Sequence, residues 1–279
     1  VATFGDLPTI DPPQIAYVQD QDQYFHSNNL TNAFDIKEAT VQNTFSANKT
    51  AGLAFNNDGS KFYEIGFNPD ELIESTLSNP FDISTRTVVG SFAVDGPRGL
   101  TFNNDGSRMY TVDTDQIYQY LLSTNFDVTT ASLDTQISSG QNPTLSGIAF
   151  SNDGTIMVTS NISVDGIIQF LLSTPFDITT ATKDTFIGTL TNDEPRDVEF
   201  NDDGSKLFSC GRKPGEIAQA DLTTPFDINT VTNTEVISSV DGAPTSIEFD
   251  NQGTKMFELG SGNNVITEYE IQAAQYEKF

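Results

Sequence analysis

Gly99–Thr130, GLTFNNDGSRMYTVDTDQIYQYLLSTNFDVTT, decides how the whole chain is read. It predicts three short strands. Gly99–Phe102 runs into the turn Asn103-Asn104-Asp105-Gly106, and Arg108–Val112 returns from it. A polar link, Asp113–Gln116, leads to Ile117–Leu122, and Ser123-Thr124-Asn125-Phe126-Asp127 turns the next corner. Each run is rich in β-branched and aromatic residues and is bounded by Gly, Asn, Asp or Ser, the composition of strands joined by tight turns.

Working outward, the pattern repeats. The corner recurs at Ala33-Phe34-Asp35-Ile36, Pro80-Phe81-Asp82-Ile83, Pro175-Phe176-Asp177-Ile178 and Pro225-Phe226-Asp227-Ile228, so that successive Phe residues lie 47, 45, 50 and 50 positions apart. The turn recurs at Asp58-Gly59, Asp153-Gly154 and Asp203-Gly204, with Asn251-Gln252-Gly253 a degenerate copy. A period of this length with several strands per unit predicts an all-β fold, a single β-propeller of four-stranded blades. Stacked helical repeats would need apolar residues at i, i+3 and i+4, and no such run is present.

Shifting the second unit back by 47 residues lays Asp58 over Asp11 and Phe81 over Phe34. Units are therefore expected to begin near residues 5, 52, 99, 147, 197 and 246, giving six blades in one domain over residues 1–279. Five is the alternative if the first unit is not a blade. The last unit supplies Ser246–Phe249, Lys255–Leu259 and Val265–Ile271 but no clear fourth strand. Val1–Phe4 or the tail Gln275–Phe279 is expected to complete it, because an open ring leaves an unpaired strand edge.

Composition narrows the functions. With 39 acidic and 13 basic side chains the formal charge is −26, which repels phosphate backbones and argues against sequence-independent nucleic-acid binding. No run of about 18 apolar residues exists to span a membrane, and the chain opens at Val1 without a basic, apolar leader. The lone Cys210 excludes an intrachain disulfide and a zinc site of several Cys, and reads as a half-buried packing residue. The lone His26 falls in a predicted outer strand, Tyr24–Leu30, away from the axis, which argues against a His-centred triad or metal site. Sequons at Asn29, Asn48 and Asn161 are expected by chance in so Asn- and Thr-rich a chain.

The two faces of a propeller divide the loops. The Asp-Gly turns and Phe-Asp corners share one face, and their near-identity marks scaffold: Gly supplies a positive φ and Asp or Asn caps the turn. The other face differs in every unit, which is where function usually sits on a rigid frame. Its links carry the candidate contact residues Phe67, Asp95, Arg98, Asp113, Asp115, Asp193, Glu194, Arg196, Arg212, Lys213 and Asp241. Asp95, Asp193 and Asp241 are the candidate metal ligands, since oxygen-rich loops around an axis suit Ca²⁺. Arg98 and Arg196 beside them offer the competing reading, ion pairs that tie loops together. Glu199 and Glu248 occupy matched positions in innermost strands, where a carboxylate pair can act as acid and base without histidine, or simply face a water-filled axis.

Units such as GLAFNNDGSKFY…LSNPFDIST (Gly52–Thr85) and GIAFSNDGTIMV…IIQFLLSTPFDITTAT (Gly147–Thr182) resemble a propeller repeat of marine phage structural proteins, whose corner often reads LSTPWDISTAS. This chain has Phe where Trp is usual. The likeness to NHL and YVTN propeller repeats is looser. The resemblance implies an extracellular or virion-borne protein for attachment or decoration. The expected function is thus a non-catalytic module, without a cofactor or with Ca²⁺, contacting virion or cell-surface proteins or a glycan through the variable face, with assembly into oligomers open. The alternative is a divalent-metal hydrolase or lyase using axial carboxylates.

Overall fold

A computed structural model describes Phe25–His26, residues 33–140, 144–191 and 193–271, and Glu277–Lys278. Its described residues form five four-stranded antiparallel sheets and one two-stranded ladder. Blade one comprises Gly52–Phe55, Lys61–Gly66, Glu71–Leu77 and Arg86–Ala93. Blade two comprises Gly99–Phe102, Arg108–Val112, Gln116–Leu122 and Ala131–Ser138. Blade three runs Leu145–Phe150, Ile156–Asn161, Gly166–Leu172, Ala181–Gly188, and blade four Pro195–Phe200, Lys206–Gly211, Glu216–Leu222, Val231–Ser238. Blade five takes Pro244–Phe249, Lys255–Gly260 and Val265–Ile271 from one end of the sequence and Ala39–Ser46 from the other.

Each blade is clamped by the two repeated motifs acting together. In blade two, Gly106 sits at φ 68° and its N–H donates to the Asn103 carbonyl at 3.0 Å. The Asp105 carboxylate accepts from the Ser107 N–H at 2.9 Å, and the Ser107 bonds hold that carboxyl below its ordinary value. Across the blade, Phe126 is itself at φ 58°, a left-handed conformation that costs a non-glycine residue about 1–2 kcal/mol. What that conformation achieves is contact: a Cβ on Gly106 would lie 2.2 Å from the Phe126 ring. Asp127 then caps a short 3₁₀ turn, Val128–Thr130, accepting from the Thr129 N–H at 3.0 Å. The same ring-on-glycine pairing occurs at Phe81–Gly59, Phe176–Gly154, Phe226–Gly204 and Phe34–Gly253.

That last pair corrects the blade number. Phe34 belongs to the corner of blade five, not to a blade of its own, and its N–H donates to the Gly253 carbonyl at 2.8 Å. Ala39–Ser46 follows it as the outermost strand, antiparallel to Val265–Ile271 from Ala39↔Ile271 to Ser46↔Val265. The ring is therefore closed by residues 33–46, and the alternative of five blades is the one that holds. Glu277–Lys278, in the tail expected to close the ring, pairs instead with Phe25–His26. Val1–Phe4 and residues 5–24 lie outside the described residues.

Packing agrees with five. The hydrophobic cores lie between neighbouring blades, and the one joining Leu53 and Phe62 of blade one to Phe257, Leu259 and Ile266 of blade five completes the circle. Burial of each such side chain contributes about 1.5–3 kcal/mol. Side-chain latches reinforce the stacking. Glu74, Gln119, Gln169 and Gln219 each accept a backbone N–H from the next blade's 3₁₀ turn, at Val128, Ile178, Ile228 and Ile36 respectively. Ile36 thus occupies in blade five the place that Ile228 occupies in blade four. Among the described residues no helix is long and apolar enough to cross a membrane.

Candidate active site

The innermost strands approach one another at a waist formed by Gly52, Gly99, Gly147, Asp197 and Ser246, one from each blade. A Cβ on Gly99 would lie 2.4 Å from the Ser146 carbonyl oxygen, and one on Gly147 would lie 2.4 Å from the Asp197 carboxylate. Glycine is needed in those two blades because the neighbouring backbone leaves no room for a side chain. Blades four and five break the pattern. Asp197 accepts from the Ser246 hydroxyl at 2.6 Å and the Ile247 N–H at 3.0 Å through one oxygen, and from the Val198 N–H at 3.0 Å through the other. Ser246 in turn accepts from the Leu53 N–H at 3.1 Å. Burial pushes the Asp197 carboxyl up to about 6, and these bonds oppose the rise.

Two residues further along, blades one to three carry Ala54, Thr101 and Ala149, whereas blades four and five carry Glu199 and Glu248. These two glutamates line a cavity of about 150 Å³ on the turn face. Loss of hydration raises both carboxyls well above their ordinary value. Asp197 adds to the rise in each, and Glu199 to that of Glu248, so a charge on one disfavours a charge on the other. Asp202, Asp250, Asn56, Asn57 and Asn251 edge the cavity, and five Phe side chains, at 34, 55, 81, 200 and 249, wall it. Among the described residues no Lys or Arg lines it.

A girdle of amides surrounds this cavity. The Asn251 side chain donates to the Asn57 carbonyl, Asn57 to Asn104, Asn104 to Asn152 at 2.5 Å, and Asn152 to Asp202. Asp202, the fifth member, has no side-chain N–H when ionised. The girdle is open only there, between blades four and five, beside Glu199 and Glu248. Burial, Asp203 and Asp250 raise the Asp202 carboxyl. The sequence analysis passed over Asp197, Asp202 and the Asn column, although aligning the five turn copies displays both the column and its exception.

On the loop face the predicted contact residues mostly hold loops. Asp241 accepts from the Gly262 and Asn263 N–H groups at 2.7 Å each, and Asp193 from the Glu194 N–H at 2.9 Å. Asp113 accepts from the Thr114 N–H, and Asp115 from the Ser138 hydroxyl at 2.8 Å. Glu194 pairs with Arg196 at 2.9 Å and with the exposed Lys213, whose hydrogen bond lowers the Glu194 carboxyl's pKa. The Arg212 N–H donates to the Glu194 carbonyl at 3.2 Å, and Asp95 is exposed. Arg98 lies over the exposed Phe67 ring, 5.9 Å from its centre. Among the described residues no three His, Cys, Asp or Glu side chains are placed to share a metal ion. Cys210 is fully buried, where half-burial was expected.

Residues 81–224 match the sequence family described as Lactonase, 7-bladed beta-propeller. The chain belongs to that family. Five blades stand among the described residues, against the seven of the family's description. Membership overturns the expectation of a non-catalytic virion or attachment module and the adhesive, phage and extracellular roles attached to it. The general likeness to propeller repeats holds. No curated protein matches the chain.

Solved structures share the fold. A protein from Bacteroides fragilis NCTC 9343, provisionally named a 6-phosphogluconolactonase, has a TM-score of 0.54 at 12% identity, covering 95% of this chain and 92% of that one. A protein from Bacteroides uniformis ATCC 8492, named likewise, scores 0.50 at 14% identity, covering 92% and 76%. A functionally unknown protein from Desulfotomaculum acetoxidans DSM 771 scores 0.50 at 14%, covering 95% and 78%.

Proposed function

We propose that the protein hydrolyses uncharged lactones, with Glu199 and Glu248 as its acid–base pair. The observation that carries the reading is the pair itself: two carboxyls on adjacent innermost strands, in one cavity, whose ionisation burial and neighbouring acids disfavour. Family membership supplies the reaction class. One glutamate, ionised, takes a proton from water as the water oxygen bonds to the lactone carbonyl carbon. The other, protonated, gives its proton to the ring oxygen as the bond from that oxygen to the carbonyl carbon breaks. The product is the open hydroxy acid, whose carboxylate is repelled from a cavity edged by Asp202 and Asp250. Acid–base assistance of this kind contributes about 10²–10⁴ in rate.

The lining also speaks to substrate. A phosphorylated sugar lactone would bring two negative charges to a site with no Lys or Arg among the described residues of its wall. A neutral ring meets Asn amides and phenyl faces without that repulsion. The test is acid release from δ-valerolactone by wild type, Glu199→Gln and Glu248→Gln. Each variant is expected to lose at least about 10²-fold in kcat with an unchanged fold. Turnover by both variants at the wild-type rate sinks the assignment.

A further inference from the structure

At the opposite, loop-face mouth of the axis stand two arginines. Arg98 and Arg196 occupy matched positions, each one residue ahead of the waist, Arg98 directly before Gly99–Phe102 and Arg196 within Pro195–Phe200. The Nε of each is buried without a hydrogen-bond partner. Arg196 is tied at another nitrogen to Glu194, which Lys213 also engages. The Arg98 guanidinium has neither an ion pair nor a hydrogen bond among the described residues, only the Phe67 ring beneath it. Burial lowers its pKa, the Arg196 charge lowers it further, and Asp113 is the one group that opposes them.

This arrangement is costly as it stands. Arg98 has no ion pair, Asp113 is the one carboxylate that acts on it, and the Arg196 charge opposes it. Buried N–H donors without acceptors are unfavourable, and so are like charges held together out of water. Both costs vanish when an anion with several acceptor oxygens enters between the two groups, because guanidinium nitrogens present a fork that matches such oxygens. Of the carboxylates nearby, Glu194 and Asp193 act on Lys213, Asp165 accepts from the Glu194 N–H at 3.2 Å, and Asp113 acts on Arg98 from a distance, so none of them bonds the Arg98 guanidinium. The waist at Gly99, Gly147, Asp197 and Ser246 separates it from the glutamate cavity.

We infer that Arg98 and Arg196 form a binding site for an oxyanion, a phosphate or a carboxylate, at the loop-face mouth of the axis. The site stands on its own geometry and does not depend on the hydrolase reading. Its test is thermal unfolding of the whole chain titrated with inorganic phosphate, and separately with succinate, against sodium chloride at equal ionic strength. One of the two anions is expected to raise the wild-type Tm by about 3 °C at saturation, and which one does so tells the group recognised. Arg98→Gln is expected to weaken that response by about tenfold in half-saturating concentration, and Arg196→Gln likewise. In chloride alone Arg98→Gln should unfold no earlier than wild type, since it removes a repulsion. A wild-type protein indifferent to both anions overturns the inference, as does an Arg98→Gln variant with the wild-type response. Should neither variant fold, the wild-type titration alone decides.

Discussion

The side-chain amide of Asn152 donates to the main-chain carbonyl of Asp202, and the ionised Asp202 side chain has no N–H with which to continue the chain of bonds to Asn251. One acid in place of one amide thus opens a girdle that is otherwise continuous from Asn251 round to Asn152, and the opening lies over the glutamate pair.

Asp202→Asn should close it. An amide there gains a donor toward Asn251 and loses the repulsion from Asp203 and Asp250. The variant is expected to gain about 1 kcal/mol in denaturant unfolding and to hydrolyse lactones more slowly, because the mouth is narrowed. A variant as active as wild type but more stable would mean that substrate enters elsewhere.

Stability should fall as pH rises across the weakly acidic range. The folded Asp197 keeps its proton up to about 6, whereas the unfolded side chain loses it near 3.8. Between those values the folded state binds more protons, so unfolding becomes easier with rising pH. A two-unit shift corresponds to at most about 3 kcal/mol. Glu199 and Glu248, raised as well, extend the decline upward. The turn carboxyls Asp58, Asp105, Asp153 and Asp203 are lowered, so their contribution is lost only as pH falls below the ordinary Asp range. Urea midpoints measured across this range check the sign, and Glu248→Gln should flatten the decline.

Gly106→Ala places a methyl group 2.2 Å from the Phe126 ring in a residue held at φ 68°. It should cost about 2 kcal/mol or more, from left-handed strain together with the displaced ring. Gly188→Ala, where a Cβ meets nothing within 4 Å, is the control and should lie within about 0.5 kcal/mol of wild type. Equal effects at the two sites would deny the ring-on-glycine clamp.

Asp127→Ala removes the acceptor for the Thr129 N–H and should cost about 1 kcal/mol. Deleting residues 33–46 is far more severe, because it takes the outermost strand from blade five and uncovers Val265–Ile271 as an edge. That deletion is expected to replace a single sharp thermal transition with a broad one and to promote aggregation, both visible in a melt followed by light scattering.

The corner and turn copies made the propeller legible, because each motif states its own local physics. Positive φ needs Gly, an Asp caps the 3₁₀ turn, and alternating apolar residues pair as strands. Blade number was harder. Five corners and five turns were countable, but Phe34 precedes every turn in sequence, and its fit to the periodicity suggested a sixth unit. Only its contact with Gly253, at the far end of the chain, shows which blade it completes.

Glu199 and Glu248 were visible as matched acids where the other copies have Ala or Thr, yet matching alone did not separate a solvated carboxylate from a working one. That distinction lies in desolvation and mutual repulsion, which depend on how closely the innermost strands approach. The unpaired Nε atoms of Arg98 and Arg196 are likewise a fact of packing, not of composition. By itself the sequence determined the repeat unit, the strand pattern and the acidic surface, because these follow from local conformational preference and side-chain charge. Tertiary structure alone decided ring closure, the opening at Asp202 and the desolvation of the axial glutamates, because each arises where residues remote in sequence exclude water from one another.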